Sequence, residues 1–218
     1  GDAVCAELET YYQNACQRLV PGIRTELWIF GEHTRQALEG AAGYNEFLVG
    51  APQYLVLLSG KAELAYENAG YMMEDLVLKL EDMGLGSCWL TFTDSKAVKD
   101  ALGIDSPLEV AAIAAFGYPQ KARKRMRFNI LSMSNVDIGA KRHYFDPKRP
   151  VGDMVFLGGW GQTEGRDKYI GFYDDMLWEA FYAASLSPSY LNRQAYGFVI
   201  ADGQVVLVEC VLVGYMAL

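Results

Sequence analysis

The chain has 218 residues, of which 51% are hydrophobic and 21% charged, and its formal net charge is -8. This composition is typical of a globular protein and excludes disordered and fibrous classes. The acidic balance excludes a generic nucleic-acid binder, because phosphate backbones are held mainly by an excess of Lys and Arg. The length allows one sizeable domain or two small ones, and no window holds the ~18 apolar residues that a membrane span requires.

Cysteine and histidine are sparse. The four cysteines form no C-x-x-C pair and none of the close spacings of structural zinc sites. They are Cys5, Cys16, Cys88 and Cys210. With only His33 and His143 to add imidazole, the pattern predicts reduced thiols in a cytoplasmic protein without zinc. The first residues are acidic where a secretory signal would be basic, and the chain begins with Gly1 rather than Met, which leaves open a preceding segment.

The N-terminal part of the chain predicts alternating helices and strands. We expect a helix from about Ala3 to Arg18, which leads through Pro21-Gly22 into the strand "ELWIF", and then a helix around Arg35 to Ala41. The apolar run "YLVLL" follows Pro52 and is short, which favours a buried strand.

The region from Ala65 to Met83 has the clearest helical periodicity. Its apolar residues recur at three- and four-residue steps, and its charged residues fall mostly elsewhere around the axis. Gly84 follows where a left-handed cap favours glycine. Asp94 is expected to cap a short helix that Gly103 ends. "EVAAIAAFGYP" lies between Pro107 and a turn, which favours a central strand.

A similar order returns in the C-terminal part. We expect a helix from Phe172 to Ser185 with Leu177, Phe181 and Ala184 on one face, then a polar loop and the strand "YGFVI". A turn at 201–203 and the run "VVLV" complete a predicted hairpin. Residues 132–152 lack periodicity and are predicted to be a polar connector. The chain is therefore predicted to be one domain, 1–218, with two pseudo-symmetric halves at about 1–131 and 150–218.

Several separate stretches combine into a recognisable set. Ala51-Pro52 precedes a strand and a long helix that ends in "MGLGSCW", residues 83–89. "FGYP" at 116–119 is followed by the basic cluster "KARKRMR" at 121–127. The loop "SPSYLNRQAY" begins at Ser187.

Together these stretches resemble the FMN-dependent nitroreductase family, over about residues 43–127 and 173–208. The loop is similar to the family's S/A-P-S-x-x-N-x-Q-P-W segment, with Ala195 and Tyr196 in place of proline and tryptophan. The glycine-rich helix end precedes this loop, as in a smaller branch of nitroreductases. That order implies either a monomer whose second half completes a pseudo-dimeric site or a homodimer.

The resemblance implies backbone donors for the flavin ring at the end of the long helix. Peptide N–H groups at a tight helix-to-loop turn can bond N5 and O4 without blocking hydride approach. We expect Gly86, Trp89, Leu90 and Thr91 to lie nearest the ring. The structural alternative is a plain glycine cap followed by core aromatic residues.

The resemblance also implies contacts to the pyrimidine end of the flavin. Hydroxyl and amide side chains suit its O2 and N3 atoms, and we assign this role to Pro188, Ser189 and Asn192, with Arg193 near N1–O2. The alternative is a helix stop in which serine and asparagine bond local backbone. Asn45 resembles a ring-contacting asparagine of some members.

Arg123 and Arg125 stand where the family often places a phosphate-binding K-x-R pair. Guanidinium groups match phosphate in a bidentate way, although a basic run is also typical of a solvated face. The family's N-terminal R-x-S-x-R stretch has no counterpart in the chain. "GGWGQTEG" at 158–165 is interpreted as a turn rather than a dinucleotide loop.

As implied by the resemblance, we expect an α+β fold, a nitroreductase-like three-layer α/β/α arrangement with a mixed, mostly antiparallel central sheet. The implied function is an FMN-dependent NAD(P)H oxidoreductase. NADH or NADPH would be the donor, and a nitroaromatic or quinone the small-molecule acceptor, with no nucleic-acid or membrane partner. The alternative is a non-catalytic protein that binds flavin or another planar ligand on the same scaffold.

Overall fold

The computed structural model describes residues 2–43, 48–119, 125–132, 135–141, 148–166, 175–189 and 192–209. The chain divides into two compact units, Gly1–Lys121 and Ala122–Leu218, called here the N-terminal and C-terminal units. None of the described helices has the length and hydrophobicity needed to cross a bilayer. The single domain with two pseudo-symmetric halves stays a prediction.

The N-terminal unit contains four helices and a four-stranded sheet. The helices are α1 (Asp2–Asn14), α2 (Thr34–Ala37), α3 (Ala65–Asp82) and α4 (Ser95–Leu102). The strands are β1 (Thr25–Phe30), β2 (Gln53–Ser59), β3 (Gly86–Leu90) and β4 (Glu109–Gly117). Their spatial order is β1-β2-β4-β3, and every neighbouring pair is antiparallel.

Helices cover both faces of this sheet. Leu55, Leu57 and Ala114 pack in one apolar cluster with α1 and α3, whereas Val56 and Ile113 pack in a second cluster with Val98 of α4 and other residues. Successive strand residues point to opposite faces, and both faces are covered, so β2 is a continuous buried run from Tyr54 to Ser59. The predicted α+β class with a three-layer arrangement is confirmed.

The end of α3 is set by its own sequence. Gly84 has φ +74°, which glycine adopts without a steric penalty. The amide of Gly84 donates to the Glu81 carbonyl and that of Leu85 to the Leu80 carbonyl, both at 2.9 Å. This is a Schellman cap, and the buried Leu80 and Leu85 share one apolar cluster. The predicted helix and its glycine cap are confirmed.

The predictions for α4 and β4 are also confirmed. The Asp94 carboxylate accepts from the Ala97 amide at 2.8 Å, and Gly103 ends the helix with φ +66°. β4 is a central strand, paired with β2 on one side and β3 on the other.

The first two helices are shorter than predicted. α1 ends at Asn14 rather than Arg18, because the following chain turns onto α3: Cys16 is buried there and the Gln17 amide donates to the Asp75 carboxylate at 3.0 Å. α2 spans only Thr34–Ala37 rather than 35–41. The chain after it leaves the helical conformation at Gly40, whose φ is +82°.

The C-terminal unit contains a hairpin and a three-stranded sheet. The hairpin pairs β5 (Arg125–Ser132) with β6 (Asn135–Lys141). The sheet has the order β7 (Val155–Leu157), β8 (Tyr196–Ala201), β9 (Gln204–Glu209), and is mixed because β7 and β8 are parallel. A 3₁₀ turn, Val151–Asp153, precedes β7, and helix α5 (Asp175–Ser185) packs Phe181 against this unit's core.

Residues 132–152 are therefore not an aperiodic connector, since they contain β6 and the 3₁₀ turn. Strand pairing with residues 125–132, which periodicity alone does not reveal, forms β6. The predicted hairpin from 196 to 209 is confirmed. Its two turn residues, Asp202 and Gly203, have φ of +50° and +73°, as a two-residue type I′ turn requires.

One close approach fixes the end of the central strand. A Cβ atom built on Gly117 would lie 2.6 Å from Cδ and 2.7 Å from Cγ of Pro52. Real Cβ atoms do not approach carbon so closely, and both groups belong to stiff backbone or ring. Gly117 is therefore the residue that lets Pro52 pack across the end of β4.

We expect Gly117→Ala to lower the free energy of unfolding by about 1–3 kcal/mol, because the added methyl group overpacks this contact. Gly70→Ala is the matched control, since a Cβ there meets nothing within 4 Å. In the interior of α3 that change should instead raise stability by about 0.5–1 kcal/mol. Urea denaturation of both variants measures the two effects, and equal stability of Gly117→Ala and the wild type would contradict the account.

Candidate functional site

Three segments that are far apart in sequence meet at one end of the N-terminal sheet. Gly86 pairs with Gly117 across β3 and β4, and Pro52 packs on Gly117 from the start of β2. A Cβ on Gly86 would lie 3.6 Å from Cβ of Pro119. Pro52 and Pro119 are exposed. The Ala-Pro, Gly-Leu-Gly and Phe-Gly-Tyr-Pro segments thus form one solvent-accessible sheet end.

The residues predicted to bond the flavin ring lie on or directly after strand β3 rather than on a helix-to-loop turn: Gly86, Trp89 and Leu90 are in β3, and Thr91 follows it. β3 is paired with β4 on one side and is an edge of the described sheet. In an antiparallel pair only alternate residues bond across the ladder, and the others direct their N–H and C=O groups to the open edge. β3 can thus offer backbone donors, at every second residue.

The side chains of Trp89 and Leu90 pack on opposite faces of the sheet. Trp89 lies against the cluster with α1 and α3, and Leu90 against the other. The Trp89 indole N–H donates to the Glu74 carboxylate of α3 at 3.2 Å. These contacts agree with the alternative interpretation, in which a glycine cap is followed by residues that pack in the core. They are made by side chains, so they do not use the backbone groups of β3.

Thr91 continues β3 and is bonded to the chain before Asn45. The Gly43 amide donates to the Thr91 carbonyl at 2.7 Å, and the Thr91 hydroxyl donates to the Gly43 carbonyl at 3.0 Å. Asn45 itself lies outside the described residues. Gly43, the last described residue before it, is held beside the end of β3.

Glu74 is a residue that sequence reasoning missed. It lies in α3 among charged residues typical of an exposed helix face, so the sequence gives no sign of its contact with Trp89. Burial raises the pKa of Glu74 above its ordinary value of 4.5, and the indole N–H of Trp89 offsets part of that shift.

In the C-terminal unit, Ser187 is used by the fold. Its hydroxyl donates to the Ala184 carbonyl at 2.7 Å and lies 2.9 Å from the Tyr196 hydroxyl. The Tyr196 hydroxyl also donates to the Ala184 carbonyl, at 2.8 Å. Ser187 therefore acts as the predicted helix stop after α5.

Pro188, Ser189 and Asn192 lie in one turn. The Asn192 amide donates to the Ser189 carbonyl at 2.9 Å, and Asn192 has the left-handed φ of +54°. The Ser189 hydroxyl oxygen accepts from the Gln194 amide at 3.0 Å. Arg193 follows and is exposed. The structure thus brings together the four residues predicted for the pyrimidine end.

Of the two arginines predicted to bind phosphate, the structure describes the backbone of Arg125. Arg125 begins β5, opposite Lys141 of β6, so it lies on a strand rather than in a basic loop. Arg123 and His143 lie outside the described residues. The "GGWGQTEG" segment forms a turn as predicted, closed by the Leu157 amide on the Gln162 carbonyl at 2.8 Å.

Comparison with known families identifies the family of this chain. Residues 4–144 match a family model described as "Putative TM nitroreductase". That match covers well over half of the chain, and the protein belongs to this nitroreductase family. The matched range contains the sheet end with its three segments and stops before the Ser187 to Gln194 loop. No curated protein sequence shows a significant match to the chain.

A solved structure supports this fold. A "putative nitroreductase" from Thermotoga maritima MSB8 aligns over 96% of this chain and 66% of its own, with a TM-score of 0.53 and 16% identity. An FMN-dependent nitroreductase from Clostridium difficile R20291 aligns over 56% of this chain and 79% of its own, at 21% identity and TM-score 0.48. Iodotyrosine deiodinase bound to FMN and 3-iodo-L-tyrosine aligns over 60% and 88%, at 20% identity and TM-score 0.44.

We expect Glu74→Gln to be more stable than the wild type at neutral pH. A carboxyl whose pKa is raised on folding is favoured when protonated, so its contribution to stability is present at low pH and lost as pH rises through the folded value. The amide is uncharged and still accepts from the Trp89 indole. The free energies of unfolding should therefore converge as pH falls below 4.5.

Thermal unfolding between acid and neutral pH measures this difference. Glu67→Gln, at an exposed position of the same helix, controls for the loss of one surface charge. A Glu74→Gln variant that is less stable than the wild type at neutral pH would contradict the account.

Proposed function

We propose that this protein is an FMN-dependent NAD(P)H oxidoreductase that reduces electron-poor acceptors such as nitroaromatics or quinones. The observation that carries the proposal is the sheet end, where the Ala-Pro, Gly-Leu-Gly and Phe-Gly-Tyr-Pro segments meet within the range matched by the nitroreductase model. The order of the glycine-rich segment before the Ser-Pro-Ser loop further suggests a distinct branch of the family.

The chain offers groups of the kinds that bind FMN. Backbone N–H groups at the open edge of β3 are donors without side-chain bulk, suited to the ring's N5 and O4 atoms. Ser189 and Asn192 supply hydroxyl and amide groups suited to the pyrimidine end, and Arg193 adds positive charge near N1–O2. Arg123 and Arg125 are assigned to the phosphate.

When bound, FMN supplies two-electron chemistry: it accepts a hydride from NADH or NADPH and passes electrons to the acceptor. The protein binds and orients two flat molecules in turn, which lowers the entropic barrier to transfer. No side-chain acid or base is assigned. The proposal includes a cytoplasmic location, suggested by the cysteine spacing, and either a monomer or a homodimer.

A flavin-binding protein without turnover is the second candidate. It is favoured by Tyr196, which stands where the family pattern has tryptophan and whose hydroxyl is bonded to the helix end at Ala184.

Anaerobic addition of NADH or NADPH to the FMN-loaded protein separates the two candidates. The oxidoreductase should lose its yellow flavin absorbance with a rate constant of about 1 s⁻¹ or more, the lower end of ordinary enzyme turnover. A protein that binds FMN tightly and keeps its colour would be the binding protein. A chain that binds no FMN would contradict the oxidoreductase and leave the second candidate with a planar ligand other than flavin.

Riboflavin, which has the same ring and no phosphate, tests the assigned arginines. Charge-assisted bonds to phosphate contribute about 1.5–3 kcal/mol each, so FMN should bind at least about tenfold more tightly than riboflavin. Fluorescence titration measures both affinities, and added salt should reduce the difference in affinity between FMN and riboflavin. Equal affinities would remove the phosphate role from Arg123 and Arg125.

A further inference from the structure

Gln194 is a buried polar residue in the loop that carries Ser189. Its side chain is 1% exposed, and its backbone has the left-handed φ of +47°. Residues other than glycine rarely adopt that conformation, because their Cβ atom clashes with the backbone. A residue such as Gln194 keeps it only where surrounding contacts hold it in place. We therefore expect the contacts of Gln194 to hold its backbone in this conformation.

The side chain of Gln194 joins two parts of the C-terminal unit. Its carbonyl oxygen accepts from the Arg149 amide at 2.9 Å, and its amide group donates to the Ser185 carbonyl at 3.1 Å. Its polar groups are thus bonded despite full burial, as buried polar groups require. The side chain ties the loop to the end of α5 and to the chain that precedes β7.

The backbone of Gln194 is hydrogen-bonded to the side chain of Ser189. Its N–H donates to the Ser189 hydroxyl oxygen at 3.0 Å, and its carbonyl accepts from the Arg149 guanidinium at 3.3 Å. A serine hydroxyl has one donor and two acceptor sites. The Gln194 amide occupies one acceptor site of the Ser189 hydroxyl, and no group within the described ranges accepts its proton.

Ser187 is the instructive comparison in the same loop. Its hydroxyl already donates to the Ala184 carbonyl and contacts Tyr196. One serine of the Ser-Pro-Ser segment therefore closes the helix, and the hydroxyl of the other accepts from Gln194. Gln194 fixes the second one.

We propose that Gln194 is a positioning residue that orients the Ser189 hydroxyl as a hydrogen-bond donor to the carbonyl or imide edge of a planar heterocycle. The inference rests on the proposed function, because it assigns Ser189 to the flavin. It adds that the loop's affinity for the ligand depends on a residue that does not touch the ligand.

A double-mutant cycle with FMN as the probe tests this dependence. Gln194→Met keeps side-chain length and removes both side-chain hydrogen bonds, and Ser189→Ala removes the donor. Each change should weaken FMN binding about tenfold, the value of a lost hydrogen bond. Because one acts through the other, the double variant should also lose about tenfold, and a loss of about a hundredfold would overturn the proposal.

Phe181→Leu is the control for stability. It disturbs the core of the same unit at a buried position of α5 and should leave FMN affinity within about twofold, although it lowers the melting temperature. If Phe181→Leu weakens FMN binding as much as Gln194→Met, the effect is general destabilisation and the positioning role is wrong.

Hydrogen exchange of the ligand-free protein gives a readout that needs neither FMN nor a Gln194 variant. Ser189→Ala should speed exchange of the Gln194 amide about tenfold or more, since its acceptor is gone, and leave the β8 and β9 amides unchanged. Unchanged exchange at Gln194 would overturn the inference. If the wild type binds no FMN, the proposed function fails and the ligand assigned to Ser189 fails with it. If FMN binds but exchange of the Gln194 amide is unchanged in Ser189→Ala, only the positioning role of Gln194 fails.

Discussion

The contact between Gly117 and Pro52 is the constraint on which the N-terminal unit depends. β4 is paired on both sides, so its position fixes the positions of β2 and β3. At its end only a residue without Cβ admits the Pro52 ring, and Gly86 lies opposite on β3. A slip of one residue would place a side chain in this contact and turn each strand's apolar side chains to the wrong face. The same packing that sets the register therefore brings the three family segments to one sheet end.

Side chains in the candidate site serve mainly the fold. Trp89 packs on α3 and is bonded to Glu74, Thr91 is bonded to Gly43, and Ser187 closes α5. Among the described residues, each unit keeps its own groups for a ligand: backbone groups at the edge of β3 in the N-terminal unit, and the Ser189 hydroxyl in the C-terminal unit.

The sequence predicts best those features that nearest neighbours decide. The end of α3 follows from Gly84, the start of α4 from Asp94, and the β8–β9 hairpin from Asp202-Gly203, so each was predicted and is confirmed. The early end of α1 depends on Asp75, 58 residues away from Gln17, and β6 depends on pairing with β5. Glu74 resembles any charged residue of an exposed helix face until its contact with Trp89 is known.

The most direct test of the account is a titration of FMN into the isotope-labelled protein, followed through its backbone amide NMR signals. The account predicts saturable shifts at one equivalent for residues 86–91 and for Ser189 and Gln194, with α4 and β9 unaffected. Shifts that spare residues 86–91, or no saturable shift at all, would contradict the proposal that this nitroreductase-family chain binds FMN through the backbone of β3.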